Sequence, residues 1–250
     1  MSVGLDLEGR VAIVTGGTRG IGLATVRRLA ECGAEVLATG TSAEAPPTLT
    51  DLAGEGFSIE YARLDLADDE STSSFAAQIR ARGELDILVN NAGINQIVEV
   101  ELIEPADYDR LHRVNLRGPL ILSGAAVAPM RRKGWGRIVN IASIWASITK
   151  PGRAMYTASK FGLVGLTKTL AVENARFGIL VNAVSPGFTL TELTAATLSA
   201  EEIERLAAQV PADRFADPGE MANVIAFLCS PLNTYLTAQN ITVDGGFTSI

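Results

Sequence analysis

Seven short runs rich in β-branched and other apolar residues recur along this chain, separated by longer amphipathic stretches. Val11 to Thr15, Glu35 to Thr39, Phe57 to Leu64, Asp86 to Asn90, Trp135 to Ala142, Ile179 to Val184 and Asn240 to Val243 read as strands. Gly20 to Cys32, Asp68 to Arg82, Glu104 to Arg131, Arg153 to Phe177 and Gly219 to Cys229 read as helices. Segments such as I-V-T, I-L-V-N and R-I-V-N-I-A do not alternate with polar residues, so the strands they form are to be covered on both faces. Regular strand–helix alternation predicts right-handed βαβ units and a parallel sheet between two layers of helices. Ligands of such sheets bind beyond the carboxyl ends of the strands, and chemistry is to be sought there.

With 250 residues, 47% of them hydrophobic, the chain can fill one large core. No linker, repeat or shift in composition divides it, and a single domain over residues 1–250 is expected. The net charge of −7 opposes general affinity for nucleic acid or anionic membrane. Arg131, Arg132 and Lys133 form a local exception suited to a helix carboxyl end. Cys32 and Cys229 are far apart in sequence, and with a single histidine in the chain they offer no metal-ligand spacing. No metal site or disulfide framework is expected. Met1 to Arg10 lacks an apolar signal core and no apolar run reaches the length of a membrane span, so a cytoplasmic location is expected.

The strand ends carry suggestive residues. After the first stands T-G-G-T-R-G-I-G, Thr15 to Gly22, entering a helix; glycines there let backbone amides approach a pyrophosphate at the helix amino terminus. After the fourth stands N-N-A-G, Asn90 to Gly93, which suits either a ribose laid on the backbone or a turn held by its own asparagines. Asn115, a poor helix former, lies inside the long helical stretch, Ser143 follows the fifth strand, and Pro186-Gly187 with Thr189 and Thr191 follow the sixth. Tyr156 and Lys160, four apart, share one face of a helix, where an ammonium favours ionisation of a phenol that otherwise titrates near about 10.

Taken together, Thr15 to Gly22, N-N-A-G, Asn115, Ser143, Y-T-A-S-K at Tyr156 to Lys160, and Pro186-Gly187 resemble the short-chain dehydrogenase/reductase family, classical branch. The resemblance extends from about Arg10 to the V-D-G-G of Val243 to Gly246. It implies an α/β, Rossmann-type, doubly wound parallel sheet of seven strands in the order 3-2-1-4-5-6-7. It also implies hydride transfer between a nicotinamide and a ketone or secondary alcohol. On that basis Tyr156 is the general acid or base, Lys160 lowers its pKa and binds the nicotinamide ribose, and Ser143 orients the substrate oxygen. Asn115 corresponds to the residue that holds a water linking the lysine to solvent.

Cofactor contacts carried over by resemblance are Gly16, Arg19, Gly20, Ile21 and Gly22 at the phosphates and Asp65 and Leu66 at the adenine. Asn91, Ala92 and Gly93 fall at its ribose, with Pro186, Gly187, Thr189 and Thr191 at the nicotinamide beside Tyr156 and Lys160. The second strand ends in Thr39, Gly40, Thr41 and Ser42 with no carboxylate to repel a 2′-phosphate. Arg19 matches a phosphate-pairing base and Thr41 offers a hydroxyl, so NADP is favoured over NAD, with Glu44 and the lack of a second base nearby as counterweights.

Ser143, Ile144, Trp145 and Tyr156 are the expected pocket, with Ile148, Leu190, Leu193 and Leu198 adding apolar surface. Trp145 suits either a pocket wall or a subunit interface. T-S-A-E after the second strand and Q-V-P-A-D-R-F near residue 210 resemble 3-oxoacyl-carrier-protein reductases. The positions of the carrier-docking bases, however, fall at Gly134 and Phe177, with Arg131, Arg132 and Arg176 only nearby. A carrier protein is therefore doubtful, and a small carbonyl or alcohol substrate is the expectation. The resemblance implies a homotetramer or homodimer built on the helices of Asn115 and Tyr156, consistent with a helix from Arg153 to Phe177 that is apolar nearly all round. Rival readings are an NAD-dependent alcohol dehydrogenase and a nucleotide-sensing regulator without turnover.

Overall fold

The computed structural model describes residues 5–192, 194 and 198–250. Seven parallel strands form one sheet: β1 (Val11–Val14), β2 (Glu35–Gly40), β3 (Ile59–Arg63), β4 (Ile87–Asn90), β5 (Gly136–Ile141), β6 (Ile179–Pro186) and β7 (Asn240–Val243). Their order is β3-β2-β1-β4-β5-β6-β7, so the chain reverses direction across the sheet between β1 and β4. That reversal opens a crevice at the carboxyl ends of the two central strands.

Among the described residues the helices are α1 (Gly20–Glu31), α2 (Pro47–Gly54), α3 (Asp69–Arg82), α4 (Pro105–His112), α5 (Gly118–Lys133), α6 (Ala154–Asn174), α7 (Ala200–Ala207) and α8 (Pro218–Cys229). Alternate residues of each strand feed two cores. Ala12 and Val14 of β1 pack with Val26 and Leu29 of α1 and Ile225 of α8. Ile13 faces the other way, into Phe75 and Ile79 of α3, Leu122 of α5 and Leu170 of α6. This period-two division across a doubly covered sheet is what the continuous apolar runs require.

The stretch expected as one helix from Glu104 to Arg131 is divided. Arg113–Arg117 forms a π-helical turn between α4 and α5, with Asn115 buried inside it. A widened turn displaces a residue from the regular ladder and lets its side chain serve another element, a frequent device at functional sites. The helix expected through Phe177 ends at Asn174 and tightens into a 3₁₀ turn over Ala175–Phe177. The segments of α2 and α7 gave no expectation of helix. In the first, two prolines mask a helix that starts at Pro47, a position where proline is well tolerated. Arg131, Arg132 and Lys133 do occupy the last turn of α5.

Asp86, just before β4, fixes three elements at the amino ends of the strands. Its buried carboxylate accepts hydrogen bonds from Val11 N at 3.0 Å, Arg10 Nη1 at 3.0 Å and Lys133 Nζ at 2.8 Å. Among the described residues no helix is long and apolar enough to cross a membrane. Asp86→Ala would leave two cations and a strand amide without their acceptor. Because both cations keep partial contact with water, the expected loss is about 2–3 kcal/mol in urea unfolding, and an unchanged midpoint would contradict this role.

Candidate active site

The carboxyl ends of β1 and β4 are held together by one hydroxyl. Thr15 Oγ1 accepts hydrogen bonds from Asn91 N and Ala92 N, each at 3.0 Å, and donates to Val89 O at 3.4 Å. In return Asn91 Nδ2 donates to Thr15 O at 3.0 Å and Gly16 O at 2.9 Å. The glycine turn and N-N-A-G are thus a single assembly. Gly16 takes φ +62°, and a Cβ on it would lie 2.9 Å from Ala92 Cα. At Gly22 a Cβ would run into Gly16 O, so this turn tolerates no side chain at either position. Arg19 precedes α1 in an extended conformation, exposed and without a side-chain cap, which leaves the first amides of the helix to an outside acceptor.

The residues expected at the nicotinamide come over the same turn. Gly187 N donates to Val243 O at 2.9 Å, and Thr191 packs so close to Gly20 that a Cβ there would meet its methyl at 3.3 Å. Thr189 is buried, and its hydroxyl finds no partner among the described residues. A buried unpartnered hydroxyl is costly unless a ligand completes it. An amide-lined turn, a crevice without side chains and an orphaned hydroxyl fit a dinucleotide. Asp65 is half-buried, its Oδ1 accepting from Ala67 N at 2.9 Å, and Leu66 is buried under Gly118.

At the end of β2, Thr41 is exposed and its carbonyl accepts from Arg63 Nε at 3.2 Å. Sequence reasoning found no second base here because Arg63 arrives from β3, where it pairs with Gly40 across the sheet. Only the parallel register could have revealed it. A side chain at Gly40 would strike the Thr18 methyl at 2.7 Å, which excludes an acid at that residue.

Asn115, Ser143, Tyr156 and Lys160 converge where β4, β5 and α6 meet. Asn115 Oδ1 accepts from Ile94 N at 2.9 Å while its Nδ2 donates to Ile94 O at 2.8 Å and to Ser159 Oγ at 3.2 Å. Lys160 is buried, donates to Ile141 O at 2.8 Å, and lies 5.5 Å from the Tyr156 ring centroid. Gly93 stands beside both, since a Cβ on it would lie 3.4 Å from Asn115 Oδ1 and 3.5 Å from Lys160 Nζ. Behind them runs a buried polar chain. Asn90 Nδ2 donates to Asn140 Oδ1 at 2.8 Å, and Asn140 Nδ2 to Thr167 Oγ1 at 2.8 Å, tying β4 and β5 to α6.

Burial pushes the Tyr156 phenol above its ordinary value, while Ser143 and the charge of Arg153 pull it down. Lys160 Nζ lies 5.5 Å from the centroid of the phenol ring, and Arg153, three residues before the phenol, is a second cation whose charge reaches it. Burial brings Lys160 down to about 8. At neutral pH the pair is therefore a neutral phenol beside an ammonium. Ile144 and Trp145 are buried in a 3₁₀ turn that follows Ser143, with Trp145 N donating to Ser143 Oγ at 3.3 Å. The indole is already covered within one chain. Leu190 is exposed and Leu198 half-buried, whereas Leu193 lies outside the described residues.

A family model described as Enoyl-(Acyl carrier protein) reductase matches residues 16–248. The 3-oxoacyl-(acyl-carrier-protein) reductase FabG of Aquifex aeolicus is 38% identical over 97% of this chain and 98% of its own length. Its namesake from Escherichia coli is 39% identical with the same coverage of both chains. The solved structure of a gluconate 5-dehydrogenase from Burkholderia cenocepacia, in complex with NADP and tartrate, superposes with a TM-score of 0.91. It is 35% identical, and the match covers 98% of each chain. Fold and relatives define a Rossmann-type oxidoreductase that uses a nicotinamide cofactor. The chain belongs to the short-chain dehydrogenase/reductase family, whose members act between CH–OH and C=O with NAD(P).

Lys160 is protonated in the unfolded chain up to about pH 10.5 but in the folded one only to about 8. Between those values the unfolded state binds more protons, so this group's penalty on folding is fully present below pH 8 and is relieved as pH rises. Lys160→Met is expected to raise unfolding stability at pH 7 by roughly 1–3 kcal/mol, with the gain shrinking toward pH 10. A variant less stable than wild type at pH 7 would contradict the buried-cation reading.

Proposed function

We propose that this protein is an NADP-dependent oxidoreductase in which Tyr156 gives a proton to a carbonyl oxygen in reduction and takes it back in oxidation. The observation that carries the reading is that Asn115 and Lys160 stand at the open backbone of Gly93, with Tyr156 beside Lys160 and within hydrogen-bonding reach of Ser143. When bound, the nicotinamide supplies or accepts the hydride. Gly16, Arg19, Gly20, Ile21 and Gly22 would hold the phosphates, Asp65 and Leu66 the adenine, and Asn91, Ala92 and Gly93 its ribose. Pro186, Gly187, Thr189 and Thr191 would receive the nicotinamide, with the Thr189 hydroxyl gaining the partner it lacks among the described residues.

The protein's own part is protonic and electrostatic. A phenol raised by burial stays protonated at neutral pH and is available as a donor. As its proton moves to the substrate oxygen, the Lys160 ammonium compensates the phenolate across a site where burial strengthens the attraction. Ser143 Oγ orients the carbonyl. Asn115 fixes the Ile94 backbone and Ser159 around the lysine.

Three features support NADP over NAD: Arg63 beside Thr41, Arg19 in the turn, and the absence of a carboxylate at the end of β2. A small carbonyl or alcohol substrate is supported over a carrier-protein conjugate because the nearby bases are engaged within the chain. Arg131 donates to Asn174 Oδ1 at 2.9 Å and stacks on Phe177, Arg132 Nη2 donates to Gly83 O at 3.3 Å, and Arg176 lies over the Phe177 ring. Exposed apolar side chains on α5 and α6, Leu120, Phe161 and Val172, support a homotetramer or homodimer. The protein acts as one domain, in the cytoplasm.

Tyr156→Phe is expected to lower turnover by at least about 1000-fold while NADPH binding stays near wild type, because only the transferable proton is removed. Substantial activity in that variant would refute the mechanism. Arg63→Ala is expected to raise the KM for NADPH by roughly tenfold with little effect on NADH; equal effects would remove the argument for a 2′-phosphate contact.

A further inference from the structure

Three cations from separate elements lie within reach of one another's charge, one of them, Arg153, close to the phenol. Lys150 follows the turn after Ser143, Arg153 stands immediately before α6, and Arg205 lies on α7. Lys150 Nζ and Arg153 Cζ sit 5.3 Å and 5.4 Å from the centroid of the Trp145 ring. Lys150 experiences both arginines as like charges, and the charge of Arg153 reaches Tyr156.

None of the three forms an ion pair among the described residues, although the chain has 28 acidic residues for 21 basic ones. Arg205 is exposed with Glu204 beside it in sequence. Glu202, which caps α7 by accepting from Ser199 N at 2.9 Å, feels the charge of Arg205, so the cations without an acid nearby are Lys150 and Arg153. Arg153 Nε is buried and has no hydrogen-bond partner among the described residues. An indole face attracts cations but supplies no acceptor for a guanidinium N–H. Partly desolvated like charges are unfavourable together unless an anion joins them, and a carboxylate can accept two parallel N–H bonds from one guanidinium.

We infer that Arg153, backed by Lys150, receives a carboxylate of the substrate, so that the preferred substrates are oxo acids and the corresponding hydroxy acids. This rests on the reading of Tyr156 as proton donor to the carbonyl. Reduction then converts an oxo acid, one hydride from NADPH and the Tyr156 proton into a hydroxy acid and NADP, with the carboxylate unchanged. Trp145 packs beside both cations and follows Ser143 directly, which gives the indole a place at the side of the substrate pocket. An acyl thioester has a neutral sulfur ester where an oxo acid has its charge, and gains nothing from this arrangement.

The test pairs two measurements on the full chain. In the first, NADPH oxidation is followed with pyruvate, acetoacetate and levulinate, each against its methyl ester, and with S-acetoacetyl-N-acetylcysteamine. At least one acid is expected to exceed its ester in kcat/KM by roughly tenfold or more. Arg153→Gln is expected to lower that acid-to-ester ratio by roughly 10- to 100-fold, mainly through KM, and Arg153→Lys to restore part of it. Equal losses for acid and ester would overturn the inference and reduce Arg153 to an influence on the phenol. A wild-type preference for the esters or the thioester would overturn it as well.

In the second measurement malonate is titrated into the NADP-loaded Trp135→Phe protein, where tryptophan fluorescence reports Trp145 alone. A saturable change that is lost on adding Arg153→Gln is expected, and no saturable change would overturn the anion site. Saturable, Arg153-dependent malonate binding without turnover of any carbonyl would count against the proposed reaction and not against the site. Turnover without acid preference would do the reverse.

Discussion

The side chain of Asn115 satisfies both backbone groups of Ile94, and much of the site's geometry depends on that exchange. An asparagine in a regular helix would direct its amide along its own turn or toward solvent. Here the π-helical turn at Arg113–Arg117 releases it to reach the segment that leaves β4. The same amide donates to Ser159, one residue before Lys160, so β4, the α4–α5 break and α6 are fixed by a single side chain. Gly93 owes its position to this clamp and lies against both Asn115 and Lys160 without a side chain of its own. The backbone surface that a nicotinamide nucleotide would occupy is thereby set before any ligand arrives, and little ordering remains to oppose binding.

A second clamp, Thr15 with Asn91, does the same at the switch point of the sheet. Between them lies the buried ladder from Asn90 through Asn140 to Thr167. A fully apolar interior would have packed with less risk of unpaired groups, but each of these bonds also fixes strand against helix in one register. Lys160 is where the arrangement carries stored cost, a cation held in the interior by one carbonyl and depressed to about 8. That cost is consistent with a group kept for chemistry.

Much of this was legible in the sequence for identifiable reasons. Continuous apolar runs separated by amphipathic ones dictate a doubly covered parallel sheet, and the observed strand order agrees with the family's. Thr15 to Gly22, N-N-A-G, Ser143, Tyr156 and Lys160 sit at strand ends or on one helix face, where local spacing places them. What the sequence did not disclose depends on contacts between distant segments. Arg63 reaches Thr41 only through the β2–β3 register, and Thr15 acts as a clamp only because β1 and β4 are neighbours. Arg153 lay within reach of a spacing argument, three residues before Tyr156, but its lack of an acidic partner emerges only when α7 and the turn around Trp145 are folded beside it. The single helix expected from Glu104 to Arg131 missed the π turn because periodicity over so long a stretch is insensitive to one inserted residue.

The most direct test of the account is titration of the purified protein with NADPH and with NADH, followed by nicotinamide fluorescence, with a ketone panel then added to the same samples. The account requires NADPH to bind more tightly than NADH and to be oxidised by at least one carbonyl compound. Failure of both nucleotides to bind would contradict the reading of the glycine turn, the crevice and the group of Asn115, Ser143, Tyr156 and Lys160 together.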